Sequence, residues 1–179
     1  MITLKEAAAV ASEFERLPES METLRRWTRR KIISRSSEDV YHGGDIGRET
    51  FYPDQIIAEI ITTIRLKNNH GFTLEEIKKT RNVVQSGLVA KKQVNEYGTE
   101  NTKKLKSMQT AFSRFKEHEQ SQREEIASAA ASGADVEELQ KKINKLKQLK
   151  DFRRRTVKYA EVYLKVLDDL ETRELSKAN

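Results

Sequence analysis

Residues 20–31 hold the densest group of side chains that could do chemistry in this chain. A helix over this stretch carries Leu24 and Trp27 on its inner side. Ser20 suits the N-cap, where its hydroxyl oxygen would accept a hydrogen bond from a backbone N–H of the first turn. The outer side of this helix would then present four guanidinium groups, those of Arg25, Arg26, Arg29 and Arg30.

Guanidinium groups donate paired hydrogen bonds to base edges and to phosphates. The major groove of duplex DNA admits one helix, so an arginine-faced helix suits it. The alternative is a surface helix whose arginines are solvated. Residues 16–35 hold seven basic residues against Glu19 and Glu22, whereas residues 1–80 hold 13 of each sign. Such a local positive patch in a neutral region favours a nucleic-acid contact.

The arginine-rich helix needs neighbours that fix its position. Residues 3–15 predict an alanine-rich helix with Thr3 as N-cap and Glu6 closing a capping box. Pro18 separates the two helices, which together form a helix-turn-helix candidate. A polar loop follows, and Gly43-Gly44 is suited to turn a hairpin whose return strand is residues 48–52. A basic helix-turn-helix with a small hairpin predicts a winged helix arrangement.

A dense stripe of isoleucines predicts the next helix, over residues 53–68, and its burial in the core. The isoleucines stand at positions 56, 57, 60, 61 and 64. Gly71 is expected to end this helix in a left-handed conformation. Thr73 and Glu76 form a second capping box, which opens a helix that buries Leu74 and Ile77.

The run Gly-Phe-Thr-Leu-Glu-Glu-Ile at residues 71–77 follows the isoleucine-rich helix, and the segments 23–27, 31–33, 47–48 and 51–52 precede it. These segments, in this order, resemble the MerR family of bacterial transcription regulators over residues 1–80. The run at residues 71–77 is the most specific match.

The resemblance implies a dimer whose recognition helices enter successive major grooves and whose wings touch the flanking backbone. It also implies bending and untwisting of promoter DNA. By this resemblance Thr23, Arg25 and Arg26 face DNA, Arg48 is the wing arginine, and Trp27 packs inside or touches a phosphate. The family frequently has arginine at the position of Glu22, so no base preference is carried over.

Long helices are predicted in the C-terminal half. Steps of three and four residues run from position 105 to position 129, and Glu119 and Gln122 interrupt this otherwise apolar stripe. Residues 132–134 predict a turn, and Asp135 with Glu138 caps the next helix. The second stripe begins at Val136, and its spacing slips between residues 149 and 157, which predicts local unwinding or a change of partner. An antiparallel hairpin and the arms of a dimer both fit, and association between chains is favoured because one hairpin has a thin core.

Composition excludes several classes of protein. The chain has no cysteine, which rules out disulfides and cysteine nucleophiles. His42, His70 and His118 are scattered without a nearby nucleophile or paired carboxylates, so we expect no catalysis, cofactor or metal. Apolar runs are too short to cross a membrane and no signal core opens the chain, which favours a cytoplasmic, nucleoid-associated protein.

The basic run, residues 141–158, holds nine basic residues against Asp151 alone. One interpretation is the solvated face of a coiled coil. The other is a second DNA contact or a dock for an acidic partner, centred on residues 153–155.

The sequence therefore predicts a mainly α protein with three parts. Residues 1–80 form a winged helix-turn-helix with a small β-hairpin wing, residues 81–102 a connection, and residues 103–179 a coiled-coil dimerisation region. The favoured function is a sequence-specific transcription regulator that binds double-stranded DNA as a homodimer through residues 20, 23, 25, 26, 29, 30 and 48. A DNA-organising or partition protein and a coiled-coil adaptor are the alternatives. An effector or a further protein partner is left open.

Overall fold

The computed structural model describes residues 1–18, 20–41, 48–89 and 100–178. Within these ranges the protein is mainly helical, with six helices and one small antiparallel sheet. The elements in chain order are β1 (Ile2–Thr3), α1 (Leu4–Ser12), α2 (Met21–Arg29), β2 (Glu38–Tyr41), β3 (Arg48–Tyr52), α3 (Ile56–His70), α4 (Leu74–Val89), α5 (Glu100–Ala131) and α6 (Val136–Ala178). Among the described helices, none is both long enough and apolar enough to span a membrane.

The chain divides into two units. The first comprises Met1–Lys79 together with Glu161–Asn179, and the second is Thr80–Ala160. The last part of α6 therefore belongs with the N-terminal elements, although about 80 residues of sequence separate them.

The N-terminal capping box is confirmed. The Glu6 backbone N–H donates to the Thr3 hydroxyl at 3.2 Å, and the Thr3 backbone N–H donates to the Glu6 carboxylate at 2.9 Å. The Thr3 backbone N–H and the Thr3 hydroxyl both donate to the Glu6 carboxylate, and these two hydrogen bonds lower the pKa of Glu6. The helix ends at Ser12, three residues before its predicted end.

The sheet has the strand order β1-β3-β2 and is antiparallel throughout. Its longer pair aligns Glu38 with Phe51 and Tyr41 with Arg48, which confirms the predicted return strand. The predicted Gly43-Gly44 turn lies outside the described residues. The sequence did not predict β1, because two residues are too short to show an alternating pattern.

Isoleucines of α3 form the centre of the N-terminal core, as their spacing predicts. Four of the five are buried, at positions 56, 60, 61 and 64, whereas Ile57 is half-buried. Gly71 ends the helix at φ +64°, the left-handed conformation expected there. The second capping box is also present. The Thr73 backbone N–H donates to the Glu76 carboxylate at 2.8 Å, and the Glu76 backbone N–H donates to the Thr73 hydroxyl at 3.3 Å. Ile77 is buried, but Leu74 is only half-buried, which corrects its predicted burial.

A fully buried carboxylate lies within this core. Glu59 of α3 accepts hydrogen bonds from both the backbone N–H and the hydroxyl of Ser34, the latter at 3.1 Å. Gln55 donates to the same hydroxyl at 3.1 Å. Since a buried polar group is costly unless it is hydrogen-bonded, these contacts fix the segment between α2 and β2 against α3.

Two arginines fasten the end of α6 to the N-terminal elements. Arg65 of α3 donates to Glu15 at 2.7 Å and to Asp169 of α6 at 2.8 Å. Burial opposes its charge, but the hydrogen bonds that Arg65 donates to both carboxylates, together with their negative charges, outweigh this effect and raise the pKa of Arg65. Arg173 pairs with Glu13, and its guanidinium lies 5.0 Å from the centre of the Phe14 ring.

Within the second unit, α5 and α6 contact each other as antiparallel neighbours. Phe115 packs edge-on against Phe152 with ring centres 5.8 Å apart. Arg153 donates to Glu119 at 3.0 Å, and Lys142 donates to Glu125 at 2.6 Å. The helices therefore pair within one chain over these residues, around a turn in which Gly133 has φ +78°.

The buried stripe of this helix pair differs from the apolar one predicted. Glu119 and Gln122, expected to interrupt it, are the most buried described side chains of α5. On α6, Arg153 is half-buried and Thr156 is buried. The helix is continuous from Val136 to Ala178, whereas local unwinding between residues 149 and 157 was one expectation. Val136, predicted to begin the stripe, is instead 79% exposed. The predicted spacing therefore includes the buried positions 119 and 122 of α5, but the expected interruption there is wrong, because their polar side chains are themselves buried.

The end of α2 uses a lysine where glycine is common. Lys31 has φ +59°, its N–H donates to the carbonyl of Thr28, and the N–H of Ile32 donates to that of Trp27. These two bonds form a Schellman motif, whose left-handed residue is usually glycine because a Cβ is unfavourable there.

Replacing Lys31 with glycine should therefore stabilise the N-terminal unit. We expect Lys31→Gly to raise the free energy of unfolding of this unit by about 0.5–1 kcal/mol. Glycine relieves the strain of the left-handed conformation, and the larger conformational entropy of the unfolded chain offsets part of this gain. Urea unfolding followed by the fluorescence of Trp27, the single tryptophan, measures this unit. Lys31→Ala is the control, since it removes the charge but keeps the Cβ. Equal stability of the two variants would show that the conformation carries no strain.

Candidate nucleic-acid interface

The start of α2 is set by backbone geometry more than by the predicted side-chain cap. Ser20 occupies the N-cap with extended φ −138° and ψ 142°, and its carbonyl accepts from the Thr23 N–H at 3.0 Å. Its hydroxyl makes no capping bond to the backbone, which corrects that expectation. The hydroxyl lies 3.3 Å from the hydroxyl of Thr23 instead.

Three residues on one side of α2 fix its orientation. Leu24 is 1% exposed and Trp27 is 3% exposed, as the sequence predicts. Thr28 is buried beside them, and its hydroxyl donates to the Arg25 carbonyl at 2.8 Å. Of the two roles expected for Trp27, burial leaves only packing inside the protein. Because both large apolar side chains are held in the core, the opposite side of the helix must face solvent.

That opposite side is the arginine face, which we define as Arg25, Arg26, Arg29 and Arg30. All four residues are exposed, in agreement with the predicted outer side of the helix. The guanidinium-bearing side chains of Arg25 and Arg29 are 64% and 66% exposed. Residues three and four apart on a helix are neighbours, so the four cations form one continuous surface.

Two acidic residues contact this face, and sequence reasoning did not assign them to it. Glu22 pairs with Arg29 and lies 3.9 Å from the Nη1 atom of Arg25. Glu75, in the first turn of α4, accepts a hydrogen bond from Arg30 at 2.9 Å. Arg26 makes no ion pair with any other described residue. The spacing of Glu22, three and seven residues before its partners, was the signal that could have revealed the first pair.

These ion pairs do not bury the arginines. Glu22 and Glu75 are 49% and 53% exposed, and exposed ion pairs contribute only about 0–1 kcal/mol. A polyanion can therefore compete for the same guanidinium groups at small cost. The face as it stands is cationic and can be rearranged by a ligand.

The remaining predicted site residues lie beside the face or outside the described part. Thr23 is half-buried, and Ser20 is exposed next to it. Arg48 begins β3 opposite Tyr41, and its side chain is outside the described part of the structure.

The basic run divides between paired and unpaired cations. Lys142 and Arg153 face α5, where Glu125 and Glu119 accept their hydrogen bonds. Arg154 lies 3.4 Å from Asp151, but this pair is largely exposed. Lys147 and Lys150 are exposed and have no ion-pair partner within the described ranges. Part of the run therefore stabilises the helix pair, and part of it faces solvent.

Other chemistry has little support from the described residues. Their histidine, aspartate and glutamate side chains form no group of three that could hold a metal ion. His70 and His118 are exposed on their helices, and His42 lies outside the described ranges. No protein-family model, curated protein or solved structure matches this chain.

The Lys142–Glu125 contact predicts a measurable pH dependence. The hydrogen bond and positive charge of Lys142 hold the pKa of Glu125 below its ordinary value. Because the folded pKa is depressed, the contact stabilises the helix pair above the ordinary glutamate pKa and is lost as pH falls through the depressed value. An NMR titration of the Glu125 carboxyl should show this low value, and Lys142→Gln should shift it upwards. An ordinary pKa in the unmodified protein would contradict the contact.

Proposed function

We propose that this chain is a sequence-specific transcription regulator that binds double-stranded DNA as a homodimer. The observation that carries the proposal is the arginine face, a set of four exposed guanidinium groups on one short helix whose other side is anchored in the core. An α-helix with its side chains is about 10–12 Å across, which fits the roughly 12 Å width of the major groove.

Chemistry favours DNA over a generic acidic surface. Arginine donates two parallel hydrogen bonds, which fit the O6 and N7 acceptors of guanine as well as the oxygens of a phosphate. A rigid helix presents such donors at fixed spacing, as recognition of base edges requires. Binding to a flexible polyanion does not require donors at fixed spacing. Burial of Leu24 and Trp27 supplies this rigidity.

The order of elements supports a relationship to the MerR family. Two short helices precede an antiparallel strand pair, and an isoleucine-rich helix and a capped helix follow. This is the order of a winged helix-turn-helix in which α2 is the recognition helix and β2 with β3 forms the wing. In this arrangement Thr23, Arg25 and Arg26 would face the bases, and Arg48 would contact the backbone beside them.

Incomplete burial in the helix pair supports a homodimer. Between residues 136 and 155 of α6, no side chain is buried, and the apolar residues Leu139, Ile143, Leu146 and Leu149 are only half-buried. Two helices alone cannot enclose such a stripe, and a second copy would cover the exposed parts of these residues. A two-fold dimer would also place two recognition helices on one face of a duplex.

A DNA-organising protein is the second candidate function. Lys147 and Lys150 are exposed on α6 without ion-pair partners among the described residues, so they favour an additional DNA contact. A protein with two DNA contacts can bridge duplexes. Binding at one or a few promoter sites would indicate regulation, whereas many dispersed sites or bridged DNA would indicate organisation.

The arginine face is tested by salt titration. We expect Arg26→Ala to weaken binding to duplex selected from a random pool. A lost phosphate contact lowers the slope of log affinity against log salt by about 0.9, whereas a lost base contact costs about 1–3 kcal/mol at one position. Arg25→Ala is measured in parallel.

Lys67→Ala is the control, because Lys67 is an exposed cation on α3. It should change the affinity less than either arginine variant does. Unchanged binding by both arginine variants would remove α2 from the mechanism.

The homodimer is tested by mass in solution. The unmodified chain should have twice its 20.7 kDa mass in sedimentation equilibrium. Leu146→Gln should weaken association by ~2 kcal/mol, because two half-buried leucines lose apolar contact in each dimer. Lys147→Gln is the matched control on the adjacent, exposed position. A monomeric unmodified chain at micromolar concentration would contradict the dimer.

A further inference from the structure

Glu22 lies on the same side of α2 as the arginine face, one turn before Arg25. With 3.6 residues per turn, positions 22, 25, 26 and 29 share one side of α2, opposite the buried Leu24 and Trp27. The side chain of Glu22 is half exposed and pairs with Arg29. A second oxygen of the same carboxylate lies 3.9 Å from the Nη1 atom of Arg25. A carboxylate therefore stands on the surface that would meet DNA, at the N-terminal edge of the arginine face.

A carboxylate in this position weakens binding to DNA of arbitrary sequence. It occupies Arg29 and Arg25, which would otherwise neutralise phosphates, and it is repelled by the polyanion. The cost applies to every sequence unless the duplex offers the carboxylate a hydrogen-bond donor. In the major groove the amino group of cytosine is the donor that a glutamate side chain accepts from most directly.

We propose that Glu22 determines the sequence specificity of α2 by accepting a hydrogen bond from a cytosine amino group in the major groove. At other sequences the same carboxylate retains Arg29 and Arg25 and so disfavours binding. At a site with the cytosine, the carboxylate turns to the base and releases these arginines to guanine edges or phosphates. This inference rests on the proposed DNA-binding function and names the base that the site selects.

The neighbouring arginine completes the recognition. Arg25 stands one turn from Glu22 on the same side, about 4.5 Å along the helix axis, and base pairs are stacked 3.4 Å apart. Glutamate and arginine so placed reach the same or adjacent base pairs. The selected step therefore contains a cytosine read by Glu22 and a guanine that Arg25 can bind through O6 and N7.

The experiment compares three variants with the unmodified full-length chain. Each protein selects from random duplex DNA, and its affinity for the selected site and for a scrambled site is measured across salt concentrations. The variants are Glu22→Gln, Glu22→Asp and Glu75→Gln. Glu75→Gln is the matched control, since it frees Arg30 from a carboxylate that belongs to α4 and not to the arginine face.

The Glu22→Gln variant should bind the scrambled site roughly ten-fold more tightly. Its slope of log affinity against log salt should also be steeper, by the amount expected for about one to two additional phosphate contacts. Its preference for cytosine at one position should fall by roughly 5- to 100-fold, the usual range for one base contact. Glu22→Asp keeps the charge but is shorter, so it should lose the cytosine preference while scrambled-site binding stays weak. Glu75→Gln should keep the preference.

Two negative results are distinguishable. If the unmodified chain selects no duplex, the proposed function fails and the inference fails with it. If the unmodified chain selects a site and Glu22→Gln keeps the full cytosine preference, only the role of Glu22 is overturned. Thermal unfolding of each variant tests whether α2 remains folded. We expect little change, because an exposed glutamate in the first turn of a helix contributes mainly through its interaction with the helix dipole.

Discussion

Burial of one side of α2 is the constraint on which the functional surface depends. Leu24 and Trp27 are almost completely removed from solvent, and each contributes roughly 2–3 kcal/mol when it is buried. Because the helix is rigid, fixing these two side chains also fixes the direction of every other residue on it. The Schellman motif at Lys31 then turns the chain so that Ile32 and Ile33 enter the same core.

Polar groups within the interior give the N-terminal unit its particular arrangement. Apolar residues such as the isoleucines of α3 favour burial without specifying a single partner. Glu59 is different, because its buried carboxylate must be satisfied, and the backbone N–H and hydroxyl of Ser34 both donate to it. Arg65 likewise joins Glu15 to Asp169, and so ties residues near the N-terminus to the end of α6. Removing one member of such a group leaves a desolvated charge behind.

Acidic residues moderate the positive surface as well. Glu22 and Glu75 hold arginines of the exposed face, and Glu119 and Glu125 hold cations of the basic run. Exposed pairs of this kind are weak and screened by salt, so they keep the arginine face available to a stronger anion. A ligand can therefore displace Glu22 and Glu75 from the arginines that they pair with. In the mechanism that we propose, displacement of Glu22 depends on the DNA sequence, so the ion pair contributes to selectivity.

Local signals in the sequence determined much of this protein. Both capping boxes, the left-handed Gly71, the isoleucine stripe, the return strand at residues 48–52 and the outward direction of the arginines depend on neighbours a few residues away. Tertiary structure decided what depends on distant partners: the strand β1, the carboxylate of Glu59, the link from Arg65 to Asp169, and the Arg30–Glu75 pair. It also decided that Glu119, Gln122 and Thr156 are buried in α5 and α6, with the half-buried Arg153 donating to Glu119. Helical periodicity shows which residues share a side, but the burial of a polar side chain depends on a hydrogen-bond partner that can lie over a hundred residues away.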